Sequence, residues 1–84
     1  MKEYYITFRS VTLAQRAERL VSRGGWRCSL GRTPRWMEQQ GCGYALHIRC
    51  GEIEAVAALL KAQQLPIRRV WQRREDGNLE EVAL

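Results

Sequence analysis

The sequence predicts an α+β domain in which an antiparallel sheet carries two helices on one face. Three observations predict it. Four short stretches alternate apolar and polar residues with the period of a strand, two intervening stretches repeat apolar residues at helical spacing, and 84 residues suit one small core that buries roughly 60% of the unfolded surface. Hydrophobic residues make up 45% and charged residues 27% of the chain, the balance of a soluble globular protein rather than a disordered or fibrous one.

Residues 3–8, EYYITF, set Tyr4, Ile6 and Phe8 on one side and Tyr5 and Thr7 on the other, which predicts the first strand with one buried face. A helix follows from Ser10 or Thr12. Either can cap it, Thr12 with Gln15 forms a capping-box pair, and Leu13, Ala14, Ala17, Leu20 and Val21 recur at helical spacing until Gly24-Gly25. Trp26, Cys28 and Leu30 alternate with Arg27 and Ser29 in a second strand. From Gly31 to Gly43 neither period holds, and Thr33-Pro34 with three glycines predicts a loop, long enough in so small a domain to favour a functional or disordered segment over a plain connection.

Tyr44, Leu46, Ile48 and Cys50 alternate with Ala45, His47 and Arg49 in a third strand. Glu52 and Glu54 suit the positive end of a second helix, whose stripe is Ile53, Val56, Ala57 and Leu60, with Leu59 beside it, and which ends before Pro66. A fourth strand lies within Ile67 to Arg73. The order β-α-β-β-α-β is that of a ferredoxin-like sandwich with a four-stranded sheet. Residues 1–74 make the domain and residues 75–84 an acidic extension. Asp76-Gly77 offers a hairpin turn there, so the extension either returns as a C-terminal edge strand or frays.

The N-terminus MKEYYITFRS lacks the apolar run of a secretion signal, and no segment approaches a membrane span, so the expected compartment is the cytoplasm and no membrane partner is expected. The fourteen basic residues all lie within residues 1–74, where five acids leave +9. The four acids of the extension bring the chain to +5. A body of that charge attracts anions, whether phosphates, nucleic acid or an acidic protein.

Three cysteines, an odd number without CxxC spacing, argue against a disulfide framework or a zinc site, and no metal or other cofactor is expected. Cys28 and Cys50 share the parity of the apolar residues in their strands and read as small core hydrophobes. Cys42 differs. It ends the long loop between Gly41 and Gly43, which can adopt positive φ and leave the thiol uncrowded, while Arg32 and Arg35 favour thiolate over thiol. A cysteine tucked beneath a loop is the plain alternative. Pro34 stiffens the turn, and Trp36 and Met37 are either docking contacts or a patch packed on their own domain. His47, the single histidine, belongs on the uncovered sheet face near Tyr5, Thr7 and Arg49, with no acidic partner nearby in sequence. Without a carboxylate pair, a Ser/His/Asp arrangement or a phosphate-binding glycine loop, an enzyme with turnover is not expected.

The opening YYITFRS, the helix-ending glycine pair, the TPR turn of Thr33 to Arg35 and the CGYAL of Cys42 to Leu46 together resemble the bacterial family labelled putative selenium/sulfur carrier protein-like. The resemblance runs over most of residues 3–72. It implies a persulfide or selenide relay in which Cys42 takes sulfur or selenium from a donor protein and yields it to an acceptor. Two other classes compete. A non-catalytic regulatory or scaffolding module would dimerise through Tyr5, His47 and Trp71 or bind an anion. A basic nucleic-acid binder is disfavoured by the strand-three register, since exposing Tyr44 and Leu46 would drive His47 and Arg49 into the core.

Overall fold

A computed structural model describes residues 2–33 and 43–83. Seven elements occur in order: β1 (Lys2–Thr7), α1 (Val11–Arg23), β2 (Cys28–Arg32), β3 (Tyr44–Cys50), α2 (Ile53–Ala62), β4 (Arg69–Arg73) and β5 (Leu79–Val82). The strands form one sheet in the order β2-β3-β1-β4-β5, and every neighbouring pair is antiparallel. The sheet thus has five strands where the count from the main body of the sequence was four. Among the described residues no helix is long and apolar enough to cross a membrane.

Register decides which side chains are covered. Ile6 of β1 lies between Leu46 of β3 and Val70 of β4, Leu30 of β2 faces Leu46 from the other side, and Tyr4 and Cys28 both stand opposite Ile48. These residues share one face because successive side chains of a strand alternate. Ala14, Ala17 and Val21 of α1 and Ile53, Val56 and Leu60 of α2 join them, with Phe8 and Leu65, in a single buried cluster.

The Ser10 hydroxyl caps α1, accepting a 3.2 Å bond from the Leu13 backbone N–H, so Ser10 rather than Thr12 begins the helix. Gly24 is the C-cap, and Gly25 follows at φ +97°. Trp26 is not part of β2, contrary to the alternation in the sequence. Its ring packs so closely on Gly24 that a Cβ there would meet a ring carbon at 2.7 Å. The strand starts two residues later and runs further than expected: Gly31 and Arg32, placed in the loop by the sequence, pair with Ala45 and Tyr44.

The acidic extension becomes β5 for three local reasons. Gly77 takes φ +88°, Asp76 Oδ1 accepts from the Asn78 N–H at 2.9 Å, and the Arg74 N–H donates to the Asn78 carbonyl at 2.7 Å, which closes the hairpin. Val82 then faces Val70 and packs against the core cluster. Its two glutamates fall on opposite faces, Glu81 pairing with Arg69 at 3.5 Å and Glu80 with Arg74.

Candidate functional site

The β2–β3 hairpin carries two of the residues singled out in the sequence, Arg32 and Gly43. Its strand ladder ends at the Arg32–Tyr44 pair, and the Thr33 N–H then donates to the Gly43 carbonyl at 3.0 Å, extending the pairing by one step. Gly43 sits at φ +80°, a conformation an L side chain rarely adopts, which bears out the expectation of positive φ at this glycine. The Arg32 guanidinium lies 5.6 Å from the centroid of the Tyr44 ring, within cation–π range. Arg32 and Gly43 therefore stand together at one end of the hairpin. Pro34, Arg35, Trp36, Met37, Gly41 and Cys42 lie outside the described residues.

The other two cysteines are committed elsewhere. Cys50 is 2% exposed, and burial pushes its thiol above the ordinary value, reinforced by the nearby charges of Glu52 and Glu54 and opposed by a backbone hydrogen bond at Glu52. Cys28 is half-buried against the core, with Sγ 3.3 Å from the Ser22 hydroxyl and donating to the Glu18 carbonyl at 3.6 Å. The reading of both as core residues holds, although Cys28 has polar partners on α1 that strand parity gave no hint of.

The uncovered sheet face carries a polar layer built around Glu3. Glu3 stands directly across from Arg49, whose Nε and Nη2 both donate to its Oε1, at 2.9 and 2.7 Å. Arg73 Nε lies 2.8 Å from its other oxygen. The Arg49 hydrogen bond first, then the charges of Arg49, His47 and Arg73, hold the Glu3 carboxyl below its ordinary value against the opposing effect of burial. His47 Nε2 is 3.7 Å from Glu3, too far for a hydrogen bond, and has no hydrogen-bond partner among the described residues. Glu3 is the acidic neighbour of His47 missing from the sequence reading: β1 supplies it, 44 positions away, through the β1–β3 register.

Tyr5 lies at the centre of this face, between β3 and β4. His47 stacks on it from β3, with ring centroids 4.7 Å apart and planes at 15°, while Arg73 reaches it from β4, 5.6 Å from the ring centroid, and donates to its hydroxyl at 2.7 Å. Neighbours from both flanking strands thus cover the ring. RNA-recognition sheets stack bases on aromatics that lie open to solvent, and Tyr5 is not available in that way. Leu46 is fully buried, as the register argument against that class required.

No curated protein and no solved structure matches the chain. A family model does, over residues 3–72, from β1 to the penultimate residue of β4, leaving β5 outside the match. With that span covering most of its length, the chain belongs to the family described as "Putative Se/S carrier protein-like".

Proposed function

We propose that this protein is a small thiol carrier without turnover chemistry of its own, built on a ferredoxin-like frame, which holds sulfur or selenium on Cys42 and passes it from a donor protein to an acceptor. The observation that carries this reading is the disposition of the cysteines in a member of this family. Two of the three thiols are packed into the core or bonded to α1, and the remaining one, Cys42, directly precedes Gly43 in the sequence.

The step requires no oxidant. The Cys42 thiolate attacks the outer sulfur of a donor persulfide, a new S–S bond forms at Cys42, the donor's S–S bond breaks, and the donor leaves as thiolate. An acceptor thiolate then repeats the exchange on Cys42. Such a relay needs a populated thiolate more than a general base. Arg32 and Arg35 favour the anion, Pro34 and the flanking Gly41 and Gly43 set the backbone, and Trp36 and Met37 supply docking contacts.

The test is the pH dependence of Cys42 alkylation in a Cys28→Ala, Cys50→Ala background. Alanine is chosen at Cys50 because a serine hydroxyl would be buried there without water. The carrier reading expects the rate to reach half its maximum below the value of a free cysteine, about 8.5, and this midpoint to rise on Arg35→Gln. A midpoint at or above the free value would overturn it.

A further inference from the structure

The outer face of α1 is a row of arginines. Arg16, Arg19 and Arg23 fall within about 60° of one another around the helix, on the side away from the buried Ala14, Ala17 and Val21, and all three are exposed. The row runs about 10 Å along the axis. Glu18, the single acid of α1, is half-buried and lies at least about 100° around the helix from each arginine, beside β2, where its carbonyl accepts from Cys28.

No contact among the described residues accounts for this row. The arginines of the sheet are engaged, Arg49 and Arg73 by Glu3, Arg69 by Glu81 and Arg74 by Glu80. Arg16, Arg19 and Arg23 form no ion pair among the described residues. Arg16 and Arg19 stand three positions apart and Arg19 and Arg23 four, the spacings at which like charges on a helix repel. Arg23 is offset by the negative C-terminal end of α1, whereas Arg16 and Arg19, in mid-helix, have no such compensation. A local cost without a local gain points to something outside the chain.

The kind of partner follows from what the face lacks. A protein interface has an apolar or aromatic centre beneath its charged rim, and a helix lying on a membrane sinks an apolar face into the lipid. α1 buries its apolar face in the core of its own domain. The one large hydrophobic exposed among the described residues, Val11 at 40%, stands at the first helical position, about 80° or more off the row. A nucleic-acid backbone requires no apolar contact, because its phosphates bind non-specifically by charge. Successive phosphates of one duplex strand advance about 3.4 Å along the axis, so a row of about 10 Å spans about three of them.

We propose that the outer face of α1 binds the phosphate backbone of a nucleic acid, with Arg16, Arg19 and Arg23 each meeting a phosphate and no base being read. This differs from base stacking on the open sheet face, which the β3 register disfavours, and it goes beyond the carrier reading without depending on Cys42.

The experiment follows the fluorescence anisotropy of a labelled single-stranded RNA and a labelled duplex DNA, titrated with the full chain between 50 and 200 mM salt. Three phosphate contacts predict a slope of log affinity against log salt of about −2.1 for the single strand and about −2.7 for the duplex. Arg16→Gln with Arg19→Gln should weaken binding at least about tenfold at the lowest salt and bring the slope toward that of one contact, while glutamine's similar helix propensity leaves the far-UV circular dichroism unchanged. Arg69→Gln with Arg74→Gln removes the same charge from the sheet and should leave the slope as it is. Absence of binding, or equal losses in the two double variants, would overturn the proposal. So would tighter binding of polyglutamate or of phosphatidylserine vesicles than of either nucleic acid, which would assign the face to an acidic protein or a membrane. Because the readout involves no thiol chemistry, its failure is distinct from a failure of Cys42 to carry sulfur.

Discussion

Gly43→Ala isolates the backbone at the end of the hairpin. Its φ of +80° lies in the left-handed region, and a Cβ there would meet no atom of the described residues within 4 Å, so the substitution adds conformational strain without a clash against them. For an L residue that strain is about 1–2 kcal/mol. The chain can escape it by giving up the Thr33 N–H to Gly43 carbonyl bond, a loss of similar size at about 0.5–1.5 kcal/mol, so escape relieves little. The expected cost is therefore about 1–2 kcal/mol by urea denaturation, or roughly 4–16 °C in Tm for a domain of this size. Gly31→Ala is the control: its Cβ also meets no described atom, but its φ is not positive, and replacing glycine within a strand should leave stability unchanged or raise it by up to about 1 kcal/mol. Hydrogen exchange at Thr33 should quicken in Gly43→Ala and not in Gly31→Ala. Equal stabilities for the two variants would refute the claim that Gly43 is required for its conformation.

Three further outcomes follow from the packing and the polar layer. The depressed Glu3 carboxyl stabilises the fold above its ordinary value of 4.5, and this contribution is lost as pH falls through the lower native value. Urea denaturation across pH 3–6 should accordingly show a shallower acid-side decline for Glu3→Gln than for the wild type. Leu46→Ala, at a fully buried position between Ile6 and Leu30, should cost about 2–5 kcal/mol, whereas His47→Ala on the open face should cost clearly less; similar losses would contradict the β3 register. In native protein Cys50 should be the slowest of the three thiols to alkylate, because burial both raises its pKa and excludes the reagent, and denaturant should abolish the difference from Cys28.

Much of this architecture could be read before the structure. The alternation of Tyr44 to Cys50 marked β3 at both ends, and it placed Leu46 inward and His47 outward because a one-residue slip would invert every side chain. The second helix was equally clear, with Glu52 as its N-cap and Pro66 beyond its end. Trp26 misled because alternation cannot distinguish a strand residue from an aromatic folded back on a helix-terminal glycine. Gly31 and Arg32 misled in the opposite sense, since glycine signals a loop while here it lies in an edge strand. The extension could have gone either way in sequence; beside the local turn at Gly77, Val82 docks opposite Val70, a contact that exists only once β4 is in place.

The candidate site divides along the same line. The glycine at position 43 and the parity of Cys28 and Cys50 are local signals and were visible, while Pro34, Arg35, Gly41 and Cys42 lie outside the described residues. The Glu3 layer was not visible, because it depends on which residues of separate strands come to face one another. Charge counts told of a basic body but not that Glu3, Glu80 and Glu81 would each be engaged by arginine.

The most direct test of the central claim is the mass of the Cys42 peptide after the wild-type chain is incubated with a persulfide-generating desulfurase and then with an acceptor thiol. The account predicts that one sulfur is added to that peptide, that the Cys28 and Cys50 peptides remain unmodified, and that the added sulfur is lost when the acceptor is supplied. No added sulfur on Cys42, or equal loading on all three cysteines, would contradict it.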